Sequence, residues 1–165
     1  MTRNSLAITG ESRLSQELLE LSREAGLDAV LISDLAELTP VTPVVIETSA
    51  SGVEKKKSIL QRLDLALPAP AVIITSCLGF ATTLMASWTA KPERIVGFAT
   101  FYPFKDRKII ELTAGIRTEE SAIRGAGQLF KSIGKETVRV KDTPGMTFPR
   151  ILSLIINEAA RSLEE

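Results

Sequence analysis

Short apolar runs alternate along the chain with longer stretches whose apolar positions recur at helical spacing. Ser5–Thr9 is the first such run and reads as a strand that ends at Gly10. Ser12–Ala25 carries Leu14, Leu18, Leu21 and Ala25 on one helical face, with Gly26 as a natural stop. Ala29–Ser33 and Val44–Thr48 are the second and third strands. Val53–Leu65 is helical, with Ile59, Leu60 and Leu63 on one face and a Lys55-Lys56-Lys57 run expected in solvent. Ala71–Ser76 is apolar enough to lie buried on both faces of a parallel sheet. Gly79–Trp88 predicts a helix, Arg94–Phe101 and Lys108–Ala114 two strands, and Glu119–Ile133 another helix. Thr137–Lys141 is a last strand and Phe148–Leu163 a long apolar helix. Repeated strand–helix units of this kind predict an α/β fold, a mostly parallel sheet with helices on both faces and right-handed crossovers.

Composition narrows the function classes. At 165 residues, 44% hydrophobic and 24% charged, the chain has the makings of one globular domain with a real core. Twenty basic and twenty acidic residues cancel, so no charge imbalance points to nucleic acid or to a membrane surface. A lone cysteine, Cys77, forms no intrachain disulfide, and a cytoplasmic location is the expectation. The apolar run before Gly10 is too short for a signal peptide or a membrane span. There is no histidine anywhere. With one cysteine and no carboxylate cluster at ligand spacing, a metal site is not expected.

Four phrases carry a resemblance. They are Lys91-Pro92-Glu93-Arg94-Ile95-Val96-Gly97-Phe98 with its continuation to Pro103, Lys108-Ile109-Ile110-Glu111, Lys141-Asp142-Thr143-Pro144-Gly145, and Asn157-Glu158-Ala159. Together they resemble the 3-hydroxyacyl-CoA dehydrogenase family in its NAD-binding, Rossmann-like domain. Such enzymes oxidise a 3-hydroxyl while hydride passes to NAD. A histidine just after the Gly-Phe strand takes the proton, a glutamate supports that imidazole, and a serine and an asparagine hold the substrate oxygen. Carried across by position, only the glutamate survives, at Glu111. The histidine becomes Ala99, the serine Leu78 (Cys77 or Gly79 with a one-residue slip), and the asparagine Pro149. A general base contributes roughly 10²–10⁴-fold to a rate, so these losses imply a catalytically inactive relative. Two other groups could do chemistry. Tyr102, with Lys105 and Lys108 nearby, could act as an acid or base, against a plain packing role. Cys77 could be a nucleophile, against a buried inert thiol.

On the cofactor side the resemblance is thinner. A dinucleotide turn needs small residues at three places, and here Gly10 is followed by Ser12 and Ser15 where glycines belong. Glu11 adds a carboxylate beside the phosphate position, with Arg13 to offset it, and Ser12 is equally an ordinary helix cap. Asp34 stands where an acidic residue can bind a ribose hydroxyl, one residue later than the family spacing. Val45-Ile46-Glu47 and Lys56 match family positions near the nicotinamide end; each also reads as a strand-end carboxylate and a solvated lysine. The implied cofactor is NAD bound weakly, or none.

The connection from the second strand to the third, Leu35 to Pro43, is only nine residues and holds two prolines. An extra strand with two crossovers needs ~30 residues or more. By the resemblance, the family's outer strand is deleted here, which opens the wall around the adenosine half. The division expected is 1–146 as a degenerate Rossmann-like domain and 147–165 as a helix like the first of the family's helical domain. Phe148, Ile151, Leu152, Ile155, Ile156, Ala159 and Leu163 make an apolar stripe on that helix. It predicts a homodimer through Phe148–Leu163 or contact with a partner enzyme subunit, rather than packing on its own sheet. A CoA ester or nucleotide fragment is the ligand class implied. The competing reading is an active NAD-dependent oxidoreductase with altered residues.

Overall fold

The structure, a computed structural model, describes residues 6–38 and 41–164. The expected start of the first strand at Ser5, and residues 39 and 40 of the short connection, lie outside the described residues. Strands β1 (Leu6–Thr9), β2 (Ala29–Ile32), β3 (Val44–Glu47), β4 (Val72–Ser76), β5 (Ile95–Ala99), β6 (Ile109–Ala114) and β7 (Glu136–Arg139) form one sheet. Its order is β2-β1-β3-β4-β5-β6-β7. The first five strands run parallel, β6 is antiparallel to β5, and β7 is parallel to β6.

Alternation at period two assigns each strand's side chains to two cores. Ile8, Ile46, Ile74 and Phe98 join Leu18 of helix α1 (Arg13–Glu24) and Ile123 and Phe130 of α4 (Glu120–Ser132). Ala7, Val45, Ile73 and Ala99 join Leu60 and Leu63 of α2 (Val53–Ala66) and Met85 of α3 (Thr82–Ser87). The sheet is thus covered on both faces, a Rossmann-like α/β domain followed by α5 (Phe148–Glu164). Strand β2 has β1 as its one neighbour, so the sheet ends where a further outer strand would attach.

Most element boundaries shift by a residue or two from the sequence reading (the expected Arg94–Phe101 strand is Ile95–Ala99), and two of the shifts have a visible cause. Helix α3 begins at Thr82, not Gly79, because its first amides turn to a distant carboxylate: Asp142 accepts from the Thr82 and Thr83 N–H at 2.6 and 2.8 Å. The last strand runs Glu136–Arg139 rather than Thr137–Lys141; all four residues are exposed at the sheet edge, so no buried alternation marks its ends. A turn of 3-10 helix, Leu35–Glu37, also fills part of the short connection.

The Lys91-Pro92-Glu93-Arg94 phrase has a structural role. Arg94 is buried, pairs with Asp64 at 2.7 Å, and donates to the carbonyls of Leu67 and Pro68. It therefore pins the end of α2 to the start of β5. Within β5, Gly97 is required by close packing: a Cβ there would lie 2.2 Å from Cys77 Sγ and 2.1 Å from Thr82 Oγ1.

Candidate functional site

A groove of about 1000 Å³ opens at the C-terminal ends of β1, β2 and β3, where α/β sheets of this order bind ligands. Its floor starts at Gly10, whose φ of +121° is one that side chains rarely adopt. A Cβ there would also strike Thr48 Oγ1 at 2.3 Å. Ser12 caps α1, its hydroxyl accepting the Ser15 N–H at 3.2 Å. Ser15 is buried, donates to the Gly10 carbonyl at 2.6 Å, and meets Thr48 Oγ1 at 2.6 Å. Thr48 in turn donates to the Thr9 carbonyl at 3.1 Å. Where a glycine would let helix and strand touch, a serine–threonine knot ties them by hydrogen bonds. Thr48 carried no signal in the sequence, since nothing local marks it as the partner of a residue 33 positions away.

The second feature lies beneath the groove. Glu47 and Lys56, at 0% and 1% exposure, form a buried ion pair. Glu47 Oε2 also accepts the Thr75 hydroxyl at 2.7 Å, and its Oε1 accepts the Ser49 N–H at 2.9 Å and the Ser49 hydroxyl. Lys56 Nζ donates to the Ser49 carbonyl at 2.8 Å. The loop over residues 48–51, a wall of the groove, is therefore clamped from below at both ends of the Ser49 peptide unit. This corrects the expectation of a solvated lysine run: Lys55 is exposed, but Lys56 points inward and is spent on the clamp.

Asp34 is placed at the rim and put to another use. It caps the Leu35–Glu37 turn, accepting the Ala36 N–H at 3.1 Å, while Glu37 accepts from its backbone N–H at 2.8 Å. Those amide bonds to Asp34 and Ser33 hold the Glu37 carboxyl below its ordinary value of 4.5.

The third feature is the β5–β6 end. Ala99 sits opposite Glu111 in the antiparallel register, both buried. Glu111 Oε2 accepts the Thr147 N–H at 3.0 Å and Oε1 accepts the Phe148 N–H at 2.9 Å. Both oxygens thus cap the first turn of α5, where a carboxylate is favoured by the helix dipole. The Phe148 ring meets Phe101 edge-on at 5.8 Å, and the Arg107 guanidinium lies 5.8 Å from it. Pro149 is buried beside them and offers no side-chain donor or acceptor. Leu78 lies across a smaller cavity of about 90 Å³, with Ser76, Phe80 and Lys56 also in its wall.

A model of the 3-hydroxyacyl-CoA dehydrogenase NAD binding domain matches residues 8–143. The chain belongs to this family. It is similar to a probable 3-hydroxybutyryl-CoA dehydrogenase of Bacillus subtilis, 28% identical over 140 residues, covering 85% of this chain and 49% of that protein. A Clostridioides difficile 3-hydroxybutyryl-CoA dehydrogenase is 31% identical over 116 residues, covering 70% and 41%. The chain thus spans about half the length of these curated relatives. The crystal structure of (S)-3-hydroxybutyryl-CoA dehydrogenase from Ralstonia eutropha superposes with a TM-score of 0.84 at 22% identity, over 96% of this chain and 70% of that one. That likeness shows the fold.

Ala99 and Glu111 face each other with no histidine between them. Tyr102 is 49% exposed, and its partner is Arg13, whose guanidinium lies 5.4 Å from the ring centre. The expected lysine is elsewhere: Lys105 pairs with Glu20 at 2.7 Å. Cys77 is fully buried, and burial pushes its thiol from the ordinary 9.0 up to about 12, against a 3.1 Å hydrogen bond with the Thr82 hydroxyl. It is an inert core thiol.

That shift has a pH consequence. The unfolded chain ionises Cys77 from about pH 9, while the fold keeps the proton to about pH 12. The contribution is full below pH 9 and is lost as pH rises between those values. In urea titrations, the stability difference between wild type and Cys77→Ala is expected to shrink from pH 8.5 to about pH 11. A constant difference would show that the thiol titrates normally in the fold.

Proposed function

We propose that this chain is a catalytically inactive relative of the 3-hydroxyacyl-CoA dehydrogenase NAD-binding domain, a binding or subunit protein and not a dehydrogenase. One observation carries the reading: the carboxylate that would support a catalytic base faces Ala99 and is committed, through both oxygens, to capping α5. Residues 1–146 supply a nucleotide-type groove, with a nucleotide fragment or CoA ester as ligand, and residues 147–165 supply a contact helix. The test is NAD-dependent oxidation of 3-hydroxybutyryl-CoA by the purified chain, followed by NADH absorbance. Turnover is expected at background; clear turnover that vanishes in Tyr102→Phe would install the tyrosine as acid–base catalyst and overturn the reading.

Helix α5 supports the subunit half of the proposal. Within the stripe, Ile151, Ile155, Ile156 and Leu163 are all half exposed or more, so most of it is not covered by its own sheet. Contiguous apolar surface of this kind is uncommon on monomers, and a second copy is the simplest cover. Burying three aliphatic side chains supplies roughly 4–9 kcal/mol before association costs. Light scattering is expected to show a dimer for the wild type, and monomer or insoluble protein for Ile155→Asp. A wild type that stays monomeric at high concentration removes the homodimer.

Among the described residues, no helix is long and apolar enough to cross a membrane.

A further inference from the structure

We propose that the groove prefers an adenosine whose ribose carries a phosphate monoester over one with a free ribose diol. The inference rests on the nucleotide reading of that groove and names the feature it selects. Along α2, Lys55, Ile59 and Arg62 line the groove, and their spacing puts all three on one helical face. Ile59 with Leu31 and Leu35 gives an apolar surface of the kind a base covers, and the two cations flank it. Arg13 is a third cation in the lining; Glu11 is the one carboxylate there.

The acidic group that would hold a ribose diol in this fold is diverted. Asp34, at the groove's rim, spends Oδ1 on capping the adjoining turn. Its Oδ1 is 3.9 Å from Arg62 Nη2, too long for a hydrogen bond, and both side chains are more than 60% exposed. The other carboxylate at this corner, Glu37, accepts from the Ser33 N–H, the Ser33 hydroxyl and the Asp34 N–H. Beside Asp34 stands the Arg62 guanidinium, which lines the groove and whose planar fork suits a dianionic phosphate and gains little from a diol. Among the described residues β2 is the sheet edge, and the Asp34 and Arg62 side chains beside it are both mostly exposed, so an added group there meets solvent.

Two sources share this chemistry, a 2′-phosphorylated dinucleotide and the 3′-phosphoadenosine of coenzyme A. Calorimetry on the full chain with two matched pairs, NADP against NAD and CoA against dephospho-CoA, separates them. In the pair that names the source, the phosphorylated member is expected to bind about tenfold tighter or more, with NAD itself weaker than ~1 mM. Arg62→Ala, an exposed change that leaves the core intact, should bring that ratio near one by weakening the phosphorylated member more than the unphosphorylated one. Equal affinities within both pairs, or a ratio that survives Arg62→Ala, overturn the preference and leave the nucleotide reading standing. No binding by any of the four at ~10 mM overturns both.

Discussion

Lys56→Ala is expected to destabilise the fold by about 3–5 kcal/mol, the cost of leaving a buried carboxylate without its counter-charge. Glu47 is fully buried at the end of β3, with Thr75 and Ser49 as its remaining donors. A domain has only about 5–15 kcal/mol of stability in all, so the variant should be partly unfolded or sharply shifted in urea midpoint. The ion pair as a whole is worth much less than this loss, because both groups gave up hydration to form it. Glu47→Gln combined with Lys56→Met should therefore recover at least half of the deficit, since the amide oxygen still accepts from the Ser49 N–H and hydroxyl while its NH2 can donate to the Thr75 hydroxyl. A Lys56→Ala midpoint close to wild type would mean that Glu47 finds water or a proton, and that the loop over residues 48–51 is not clamped.

Installing the missing base is expected to leave the chain inactive. In Ala99→His the imidazole would face Glu111, but that carboxylate is held at 3.0 and 2.9 Å by the Thr147 and Phe148 amides. Turning it to the imidazole would uncap α5, a change that typically costs ~1 kcal/mol. By the family resemblance the substrate oxygen would fall to Leu78 (Cys77 or Gly79 with a one-residue slip) and Pro149, none of which carries a hydroxyl or amide side chain to hold it. A base alone contributes about 10²–10⁴-fold, and only where the substrate is positioned for it. A rise of about 100-fold over wild type in Ala99→His would show that the site still positions substrate.

What could be read from the residues, and what could not, follows from range. Most strands and helices were legible because their apolar period is local: residues 71–74 are a continuous apolar run and α1 repeats at helical spacing, whereas the exposed β7 has no such period to mark its ends. The loss of the base was legible as composition, since a chain without histidine has no imidazole to place. The serine cap at Ser12 was legible because capping acts over three residues. Lys56 was not: within three consecutive lysines nothing local distinguishes the one that packs under the loop. Asp142 reaches back 60 residues to start α3, and Arg94 reaches 30 to hold Asp64; neither bond leaves a local pattern. Lys55 and Arg62 were visible only as surface charge until the fold put them in one groove with Ile59.

Whether hydride ever moves in this site is best measured in a single turnover. Chain at concentrations stoichiometric with 3-hydroxybutyryl-CoA, and NAD held well above ~1 mM so that weak binding is not the obstacle, should produce no NADH above a protein-free control. NADH formed in proportion to the chain would contradict the account, for it would require a proton acceptor and an oxygen clamp that Ala99, Leu78 and Pro149 do not supply.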